Sequence, residues 1–293
     1  SLLRGQKGIV FKKFVPELFL SVVEKYRVTV AFLVPPIVLY MAKSDQTKKY
    51  DLTSLRVLMV GAAPTGKDLA TEFNNKFPHA MLSQGYGMTE CSLACTFPLM
   101  NDKLRAITTV GHLLPNFIGK IVDCDGKEVP DGERGELMIK SPTIMHGYFN
   151  NKKATEETID DGWLHTGDVA VRHPTGEVSI VDRMKELIKV KGLQVPPAEL
   201  EDLLLSHKEL VDAAVIGIKD EKAGEKPLAF VVKAPTANLT ERDVQKFVEE
   251  KLSSYKWLTG GVRFVTSIPK SPSGKILRRV LRDSLNDVPK SNL

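Results

Sequence analysis

The sequence predicts an α/β protein in which a large first part is followed by a small α+β unit. Between Pro16 and Gly85, helix-like stretches alternate with short β-rich runs, and this alternation favours a parallel sheet. After Asn101, short β-like runs are separated by Asp-Gly and Pro-Asp-Gly turns, which favours a small, mostly antiparallel β region. From Arg183 onward, the pattern of strands and helices is typical of a separate compact unit.

In the first part, turn residues separate the predicted elements. Pro35-Pro36 closes the first predicted strand, and a helix-compatible stretch follows it. The apolar run Leu55–Val60 predicts a buried strand, and Gly61–Thr65 predicts the turn after it. The remaining elements predicted here are helices over 17–26 and 67–77 and strands over 28–34 and 80–83.

The later elements divide into two groups. Thr240 and Asp243 predict a capped helix start. At 293 residues, the chain is long enough for two domains, which we place at 1–181 and 182–293, with a hinge near Asp182. The predicted elements are strands 117–123, 135–140 and 177–181, then helix 197–206, strands 213–218 and 228–233, helix 240–253, strand 262–265 and the basic helix 276–284.

The charge, the apolar runs and the cysteine content indicate which kinds of partner and location to expect. The net charge is +5; residues 1–182 carry 21 basic and 21 acidic residues, and residues 183–293 carry 20 and 15. No aromatic-rich basic stripe accompanies this excess, so we expect a phosphate-rich small molecule and no nucleic acid as partner. No apolar run reaches the roughly 18 residues that span a bilayer, so no transmembrane segment is expected. The three cysteines are expected to be free thiols.

The segment Gly85-Tyr-Gly-Met-Thr-Glu90 is the first candidate ligand-binding motif. It follows a predicted strand, and its two glycines let the backbone approach a ligand closely. Thr89 offers a hydroxyl and Glu90 a carboxylate suited to Mg²⁺. An ordinary glycine-rich turn is the alternative when this motif is considered alone.

The segment Gly162-Trp-Leu-His-Thr-Gly-Asp168 is a second and sharper signal. We expect Asp168 at a strand end, where a carboxylate can accept hydrogen bonds from both hydroxyls of a ribose. A β-turn aspartate is the alternative. His165 is expected to be structural, because no carboxylate or nucleophile stands at a suggestive spacing.

Two lysine-bearing segments follow. The run from Asp182 to Gly192 places Arg183 and three lysines near the start of the predicted small domain. Ser271-Pro-Ser-Gly-Lys275 is a flexible loop that can bring a point charge to a crowded phosphate. Solvated surface charges are the alternative for both segments.

These motifs, in this order, resemble the adenylate-forming superfamily of acyl-CoA synthetases, firefly-type luciferases and peptide-synthetase adenylation domains. Within it, the chain is most similar to 4-coumarate–CoA ligase-like and luciferase-like acyl-CoA ligases, about from Phe11 to Arg282. The resemblance implies the distal part of a large domain, made of an α/β sheet and a β-barrel, followed by a small mobile α+β domain.

The resemblance also implies roles for individual residues. It assigns Lys275 to adenylation, Lys189 and Lys185 to the face toward the acyl-adenylate, and Glu90 to Mg²⁺. The hinge falls at or near Asp182. The other implied roles are nucleotide binding for Ala62, Gln84, Gly85, Tyr86, Thr89, Asp168 and Arg183, CoA binding for Lys191 and Gly192, and part of the acyl pocket for Gly85, Met88 and Phe97.

The sequence departs from the superfamily in one important respect. The Thr-Gly-x-Pro-Lys-Gly type phosphate loop is not found in these residues, and Gly61-Ala-Ala-Pro-Thr-Gly-Lys67 lacks the spacing of a phosphate loop. We therefore interpret the chain as the C-terminal half of a longer enzyme, and expect it to be inactive alone.

The expected reaction joins a carboxylic acid to CoA through an acyl-AMP, with ATP and CoA as substrates. The acid is expected to be aromatic or fatty, and the protein a monomer or weak dimer. The alternatives are a luciferase-type monooxygenase acting on an acyl-adenylate and a non-catalytic nucleotide-binding relative. Ser291-Asn-Leu293 resembles a peroxisomal address, with the cytoplasm as the alternative location.

Overall fold

Three parallel strands form the first sheet of the protein. The computed structural model describes residues 5–63, 65–98, 109–271 and 274–286. In this sheet the order is β1-β2-β3, and Val57 of β2 pairs with Val30 on one side and Met81 on the other. The strands and the helices between them are α1 (Pro16–Tyr26), β1 (Val30–Leu33), α2 (Pro35–Lys43), β2 (Val57–Val60), α3 (Lys67–Lys76) and β3 (Met81–Gln84).

This α/β layer follows the predicted alternation of elements. All four residues of β2 are buried, as expected of a central parallel strand with a continuous apolar run. Pro35 both follows the strand and begins α2, where its missing N–H costs no helical hydrogen bond. The core between helices and sheet includes Leu20, Met41 and Phe73, all without exposed surface.

An antiparallel sheet follows, as predicted. Its order is β10-β9-β7-β6, with β8 on β9, and a two-stranded sheet of β4 and β5 lies before it in the chain. Asp168 lies inside the ten-residue strand β9. The expectation that it would lie at a strand end, after Gly167, was wrong. The elements are β4 (Thr96–Phe97), β5 (His112–Leu113), β6 (Ile118–Val122), β7 (Arg134–Lys140), α4 (Lys152–Thr158), β8 (Ile159–Asp160), β9 (Trp163–Arg172) and β10 (Val178–Arg183).

The last part of the chain is a sheet with helices on both faces. The sheet order is β12-β11-β14-β13, and β15 pairs in parallel with β14. Thr240 and Asp243 form the predicted reciprocal cap at the start of α6. The elements are β11 (Ile188–Val190), β12 (Leu193–Val195), α5 (Pro197–Leu205), β13 (Leu210–Asp220), β14 (Gly224–Lys233), α6 (Glu241–Glu249), β15 (Gly261–Phe264) and α7 (Arg278–Asn286).

The two predicted domains meet at β10. The predicted boundary and the predicted hinge at Asp182 fall within the last residues of that strand, and both stay predictions. We call residues 5–183 the N-terminal region and residues 184–286 the C-terminal region. Within the described ranges, none of the helices has the length and apolar character needed to cross a membrane.

Candidate nucleotide-binding site

The candidate site begins at the carboxyl ends of the three parallel strands, where α/β sheets usually bind ligands. The backbone amide of Gly61, just after β2, donates to Leu33 of β1, and the amide of Gly85, just after β3, donates to Val60 of β2. These bonds place the two glycine turns side by side. Ala62 adopts a left-handed φ of 73° and is exposed at this edge.

Gln84, the last residue of β3, holds the turn after β2. Its side-chain oxygen accepts a hydrogen bond from the Thr65 amide at 2.9 Å, and its side-chain nitrogen donates to the Thr65 carbonyl at 3.2 Å. Gln84 is buried. Gln84 was predicted to contact the nucleotide. In the structure its side chain instead fixes the position of the turn that contains Thr65.

Asp168 is the buried charge at the centre of the site. Its carboxylate accepts a hydrogen bond of 2.5 Å from the hydroxyl of Tyr86. Arg183 of β10 lies directly opposite on the sheet, and its Nε is 3.5 Å from the other carboxylate oxygen. The structure therefore brings together three of the predicted nucleotide-binding residues.

Burial dominates the electrostatics of this cluster. It raises the pKa of Asp168, and the hydrogen bond from Tyr86 and the charge of Arg183 oppose the rise. Burial also raises the pKa of Tyr86, and the neighbouring charge of Asp168 adds to the rise. Tyr86 therefore stays a hydrogen-bond donor at neutral pH. Asp168 keeps lone pairs that further donors, such as ribose hydroxyls, can use.

Lys275 lies on the loop that brings the C-terminal region to this cluster. Its charge is among those that lower the pKa of Asp168. The loop closes through the Ser271 amide, which donates to the Lys275 carbonyl at 2.9 Å. Gly274 faces the start of α2, because a Cβ built on it would lie 3.7 Å from Val34 and 3.8 Å from Pro36. The exposed Lys275 is thus held near the carboxyl end of β1.

Glu90 has the chemistry of a magnesium ligand. It lies in a short 3₁₀ helix, Thr89–Cys91, and its Oε1 accepts a hydrogen bond of 2.7 Å from the Tyr148 hydroxyl. None of the described residues donates a hydrogen bond to Oε2, and the side chain is only partly buried. Mg²⁺ is commonly held by one or two carboxylates together with substrate phosphates and water, and Glu90 fits that use. Thr89 beside it is exposed.

The three candidate acyl-pocket residues lie around the same loop. A Cβ on Gly85 would lie 3.4 Å from the ring of Phe97, so these two residues are in contact range. Met88 packs against the apolar core of the antiparallel sheet. A Cβ on Gly87 would lie 1.7 Å from the Leu93 carbonyl oxygen, which explains why the loop has glycine there.

The remaining predicted cations lie elsewhere in the C-terminal region. Exposed Lys185 and Lys189 line an open groove of about 890 Å³. Lys191 and Gly192 form the two-residue turn between β11 and β12, with φ values of 50° and 83°. Such turns require positive φ at both central residues. Lys275 is not among the residues that line this groove.

Sequence reasoning missed two partners of the predicted motifs. Glu136 of β7 lies 3.0 Å from His165 Nδ1 and also accepts a hydrogen bond from the Gly167 amide. Arg278 makes two hydrogen bonds, of 2.7 and 2.8 Å, to the buried carboxylate of Glu201. These pairs lie 29 and 77 positions apart in the chain, so their charged residue types were the only sequence signal that could have indicated the pairing.

Comparison with known proteins identifies the family. Residues 1–149 match the AMP-binding enzyme family, and residues 199–275 match the AMP-binding enzyme C-terminal domain. The chain belongs to the AMP-binding enzyme family. It is 49% identical to 4-coumarate–CoA ligase 1 of Arabidopsis thaliana over 286 residues, which are 96% of this chain and 51% of that protein. A probable 4-coumarate–CoA ligase 3 of Dictyostelium discoideum is 44% identical, with 97% and 52% covered. The chain thus spans about half the length of these relatives.

Solved structures of AMP-binding enzymes have the same fold. ATP-bound MatB from Rhodopseudomonas palustris matches with a TM-score of 0.86 and 30% identity over 95% of this chain and 55% of that one. The o-succinylbenzoate CoA synthetase of Bacillus subtilis, in complex with its acyl-adenylate intermediate, matches with a TM-score of 0.83 and 27% identity over 100% and 58%. The mixed α/β fold is therefore that of adenylate-forming enzymes, as predicted.

Proposed function

We propose that the chain is part of an ATP-dependent acid–CoA ligase that forms an acyl-AMP and then a thioester. The observation that supports this most directly is the cluster of Tyr86, Asp168 and Arg183 at the carboxyl ends of the parallel strands. Lys275 adds a positive charge to the same cluster. The 4-coumarate–CoA ligases among the relatives support CoA as the acceptor.

In the first half-reaction, a carboxylate oxygen of the acid bonds to the α-phosphorus of ATP, and the bond to pyrophosphate breaks. Asp168 accepts hydrogen bonds from the ribose hydroxyls, and the charge of Arg183 opposes the rise that burial causes in the pKa of Asp168. Lys275 stabilises the negative charge that gathers on the α-phosphate and the acid. Glu90 would hold Mg²⁺, which would neutralise phosphate charge when bound. Ala62, Gly85 and Tyr86 form the wall against the base.

In the second half-reaction, the CoA sulfur bonds to the acyl carbon and AMP leaves. The C-terminal region turns near Asp182, which withdraws Lys275 and presents Lys189, Lys191 and Gly192 in its place. One small region thereby serves two transition states by moving. Lys185 acts beside Lys189, with which it shares a groove.

Substitutions in the full-length parent enzyme test these roles. Asp168→Ala is expected to raise the KM for ATP, because a charged hydrogen bond of about 1.5–3 kcal/mol is lost. Lys275→Ala is expected to abolish acyl-AMP formation, measured by pyrophosphate release, and to leave thioester formation from pre-made acyl-AMP largely intact. Lys189→Ala is expected to do the reverse. Arg279→Ala, an exposed change next to the same loop, is the matched control.

Equal loss of both half-reactions in the Lys275 and Lys189 variants would contradict the two-position mechanism. Unchanged ATP dependence of Asp168→Ala would remove that residue from the nucleotide site. For residues 1–293 alone, we expect no pyrophosphate release with a panel of cinnamic and fatty acids. Turnover well above background would contradict this.

Two alternatives to the acid–CoA ligase can each be tested by a separate experiment. A luciferase-type enzyme shares the first half-reaction and then consumes O₂, so oxygen uptake with acyl-AMP distinguishes it from a ligase. A non-catalytic relative binds nucleotide without releasing pyrophosphate in the full-length protein. The intact cluster of Asp168, Arg183 and Lys275 favours an enzyme over that second alternative.

The location and oligomeric state remain proposals. Ser291-Asn-Leu293 lies outside the described residues, and we propose it as a peroxisomal address, with the cytoplasm as the alternative. A reporter that carries the last dozen residues and stays diffuse would decide against the peroxisome. We propose a monomer or weak dimer, and sedimentation at increasing concentration measures this.

A further inference from the structure

The N terminus of helix α3 is capped by the other region of the protein. Gly66 occupies the N-cap position of α3 and has no side chain to accept a backbone hydrogen bond. Asp202 of α5 brings a carboxylate to this position beside Gly66, and the Lys67 amide lowers the pKa of that carboxylate. A carboxylate is favoured at this end of a helix, where free N–H groups and the helix dipole meet it.

The contact at Gly66 leaves no space for a side chain. A Cβ built on Gly66 would lie 1.4 Å from Asp202 Oδ1 and 1.8 Å from its Cγ. The backbone of Gly66 does not itself require glycine, since its φ of −64° and ψ of 159° suit any residue. An added Cβ at this position would therefore have to displace the carboxylate of Asp202.

A second carboxylate makes the same kind of contact in the opposite direction. Asp182, from β10 of the N-terminal region, accepts a hydrogen bond of 2.9 Å from the Ala198 amide in the first turn of α5. Helix α5 thus receives a carboxylate at its own start and offers one to the start of α3. Lys43 of α2 adds a hydrogen bond of 2.9 Å to the Leu205 carbonyl at the end of α5.

We propose that the Gly66–Asp202 contact is the docking point that selects the arrangement of the two regions seen in this structure. In this arrangement the Gly274 turn lies against the start of α2 and the charge of Lys275 acts on Asp168. Because Asp202 lies on the C-terminal region, a large rotation of that region about the end of β10 would carry Asp202 away from α3. Asp202 is therefore a positioning residue, and it acts on the site through the Lys275 loop.

The charges around Asp202 give the contact a pH dependence. Burial raises the pKa of Asp202 to about 6, with the like charge of Asp68 as the next cause. Because the docked state then binds a proton more tightly than the undocked state, docking strengthens as pH falls from 8 to 5. The titratable groups that face this cleft are Lys43 on α2, Asp68 and Glu72 on α3, and Lys251 after α6.

Distance measurements on the whole 293-residue chain test the docking itself. Cys124 is exposed while Cys91 and Cys95 are buried, so a spin label on Cys124 and a second on Lys246→Cys report the separation of the regions. Gly66→Ala is expected to lower the ratio of docked to undocked molecules by at least about tenfold, because the added Cβ overlaps Asp202. Gly8→Ala, in open space, is the control and is expected to change nothing.

Two substitutions at position 202 separate shape from charge. Asp202→Ala removes the cap and is expected to shift the distances in the same direction as Gly66→Ala. Asp202→Asn keeps an acceptor without the charge, so it is expected to stay docked and to lose the pH dependence between 8 and 5. Native-like distances at every pH in Gly66→Ala, with native circular dichroism, would overturn the proposal.

The consequence for catalysis rests on the proposed function. In the full-length parent, Gly66→Ala is expected to slow acyl-AMP formation at least about tenfold and to spare thioester formation from pre-made acyl-AMP. If the unmodified parent forms no acyl-AMP, the proposed function fails while the distance result still decides the docking. If the parent is active and Gly66→Ala matches it in both half-reactions, the positioning role of Asp202 is wrong.

Discussion

Arg278→Met should destabilise the protein strongly at pH 8 and far less at pH 5.5. Arg278 pairs with Glu201 through bonds of 2.7 and 2.8 Å, and Glu201 also accepts a bond of 2.8 Å from the Val215 amide. Both side chains are largely buried. Removal of one member of a buried pair leaves an uncompensated charge, which costs about 3–5 kcal/mol.

The pH dependence follows from the pKa of Glu201. Burial raises it from 4.5 to about 7 even with Arg278 present. Because the folded state binds the proton more tightly, stability falls as pH rises from 4.5 through 7, by about 3 kcal/mol for a shift of this size. Without Arg278 the pKa rises further. At pH 5.5 Glu201 is then neutral, and we expect a loss of only about 1–2 kcal/mol, from the lost hydrogen bonds.

Urea unfolding of the 293-residue chain measures these differences, with tryptophan fluorescence as the signal, to which both Trp163 and Trp257 contribute. Arg279→Met is exposed on the same helix and is the near-neutral control. The double variant Arg278→Met, Glu201→Gln should recover at least half of the loss at pH 8, because the unpaired charge is gone. An Arg278→Met loss that is equal at the two pH values would refute the reasoning.

Three further substitutions probe the site and the helices by the same unfolding assay. Tyr86→Phe removes the hydrogen-bond donor to buried Asp168, so it should lower the free energy of unfolding by about 1.5–3 kcal/mol at pH 8 and by less at pH 4. An equal loss at the two pH values would contradict the idea that Asp168 is ionised at pH 8. Thr240→Ala removes the reciprocal cap with Asp243 and should cost about 1 kcal/mol, whereas Thr240→Ser should retain most of it. Gly87→Ala places a Cβ 1.7 Å from a backbone carbonyl oxygen and should lower the free energy of unfolding by more than about 2 kcal/mol. A smaller loss would show that the loop backbone shifts to make room for the methyl group.

Local patterns predicted most of the fold. The apolar run ending at Val60 predicted a central strand, and Thr240 with Asp243 predicted a helix start; the structure has both. Helix α4 was missed because none of its residues is buried, so it leaves no apolar period in the sequence. The continuation of strand β9 through Asp168 was missed because Gly167, with a φ of 69°, resembles a turn.

Contacts between distant residues set the limit of sequence reasoning. The motif around Asp168 pointed to a charged site, and its contact with Tyr86, 82 positions away, is a product of how the sheets pack. Glu136, on the neighbouring strand, forms hydrogen bonds with both His165 and the Gly167 amide. No spacing in the sequence predicts these contacts. The roles assigned to Lys185, Lys189 and Lys275 came from family resemblance, and they stay predictions.

Strand β10 has a consequence for how strongly the two regions must attract each other. It ends at Arg183, and only a 3₁₀ turn, Met184–Glu186, and one residue separate it from β11. So short a tether holds each region at an effective concentration on the order of 1 mM or more near the other. Contacts too weak to join separate molecules are then enough to populate a docked state. Each change of about 1.4 kcal/mol alters that population ratio tenfold, so the gain or loss of one hydrogen bond can decide which arrangement the enzyme occupies.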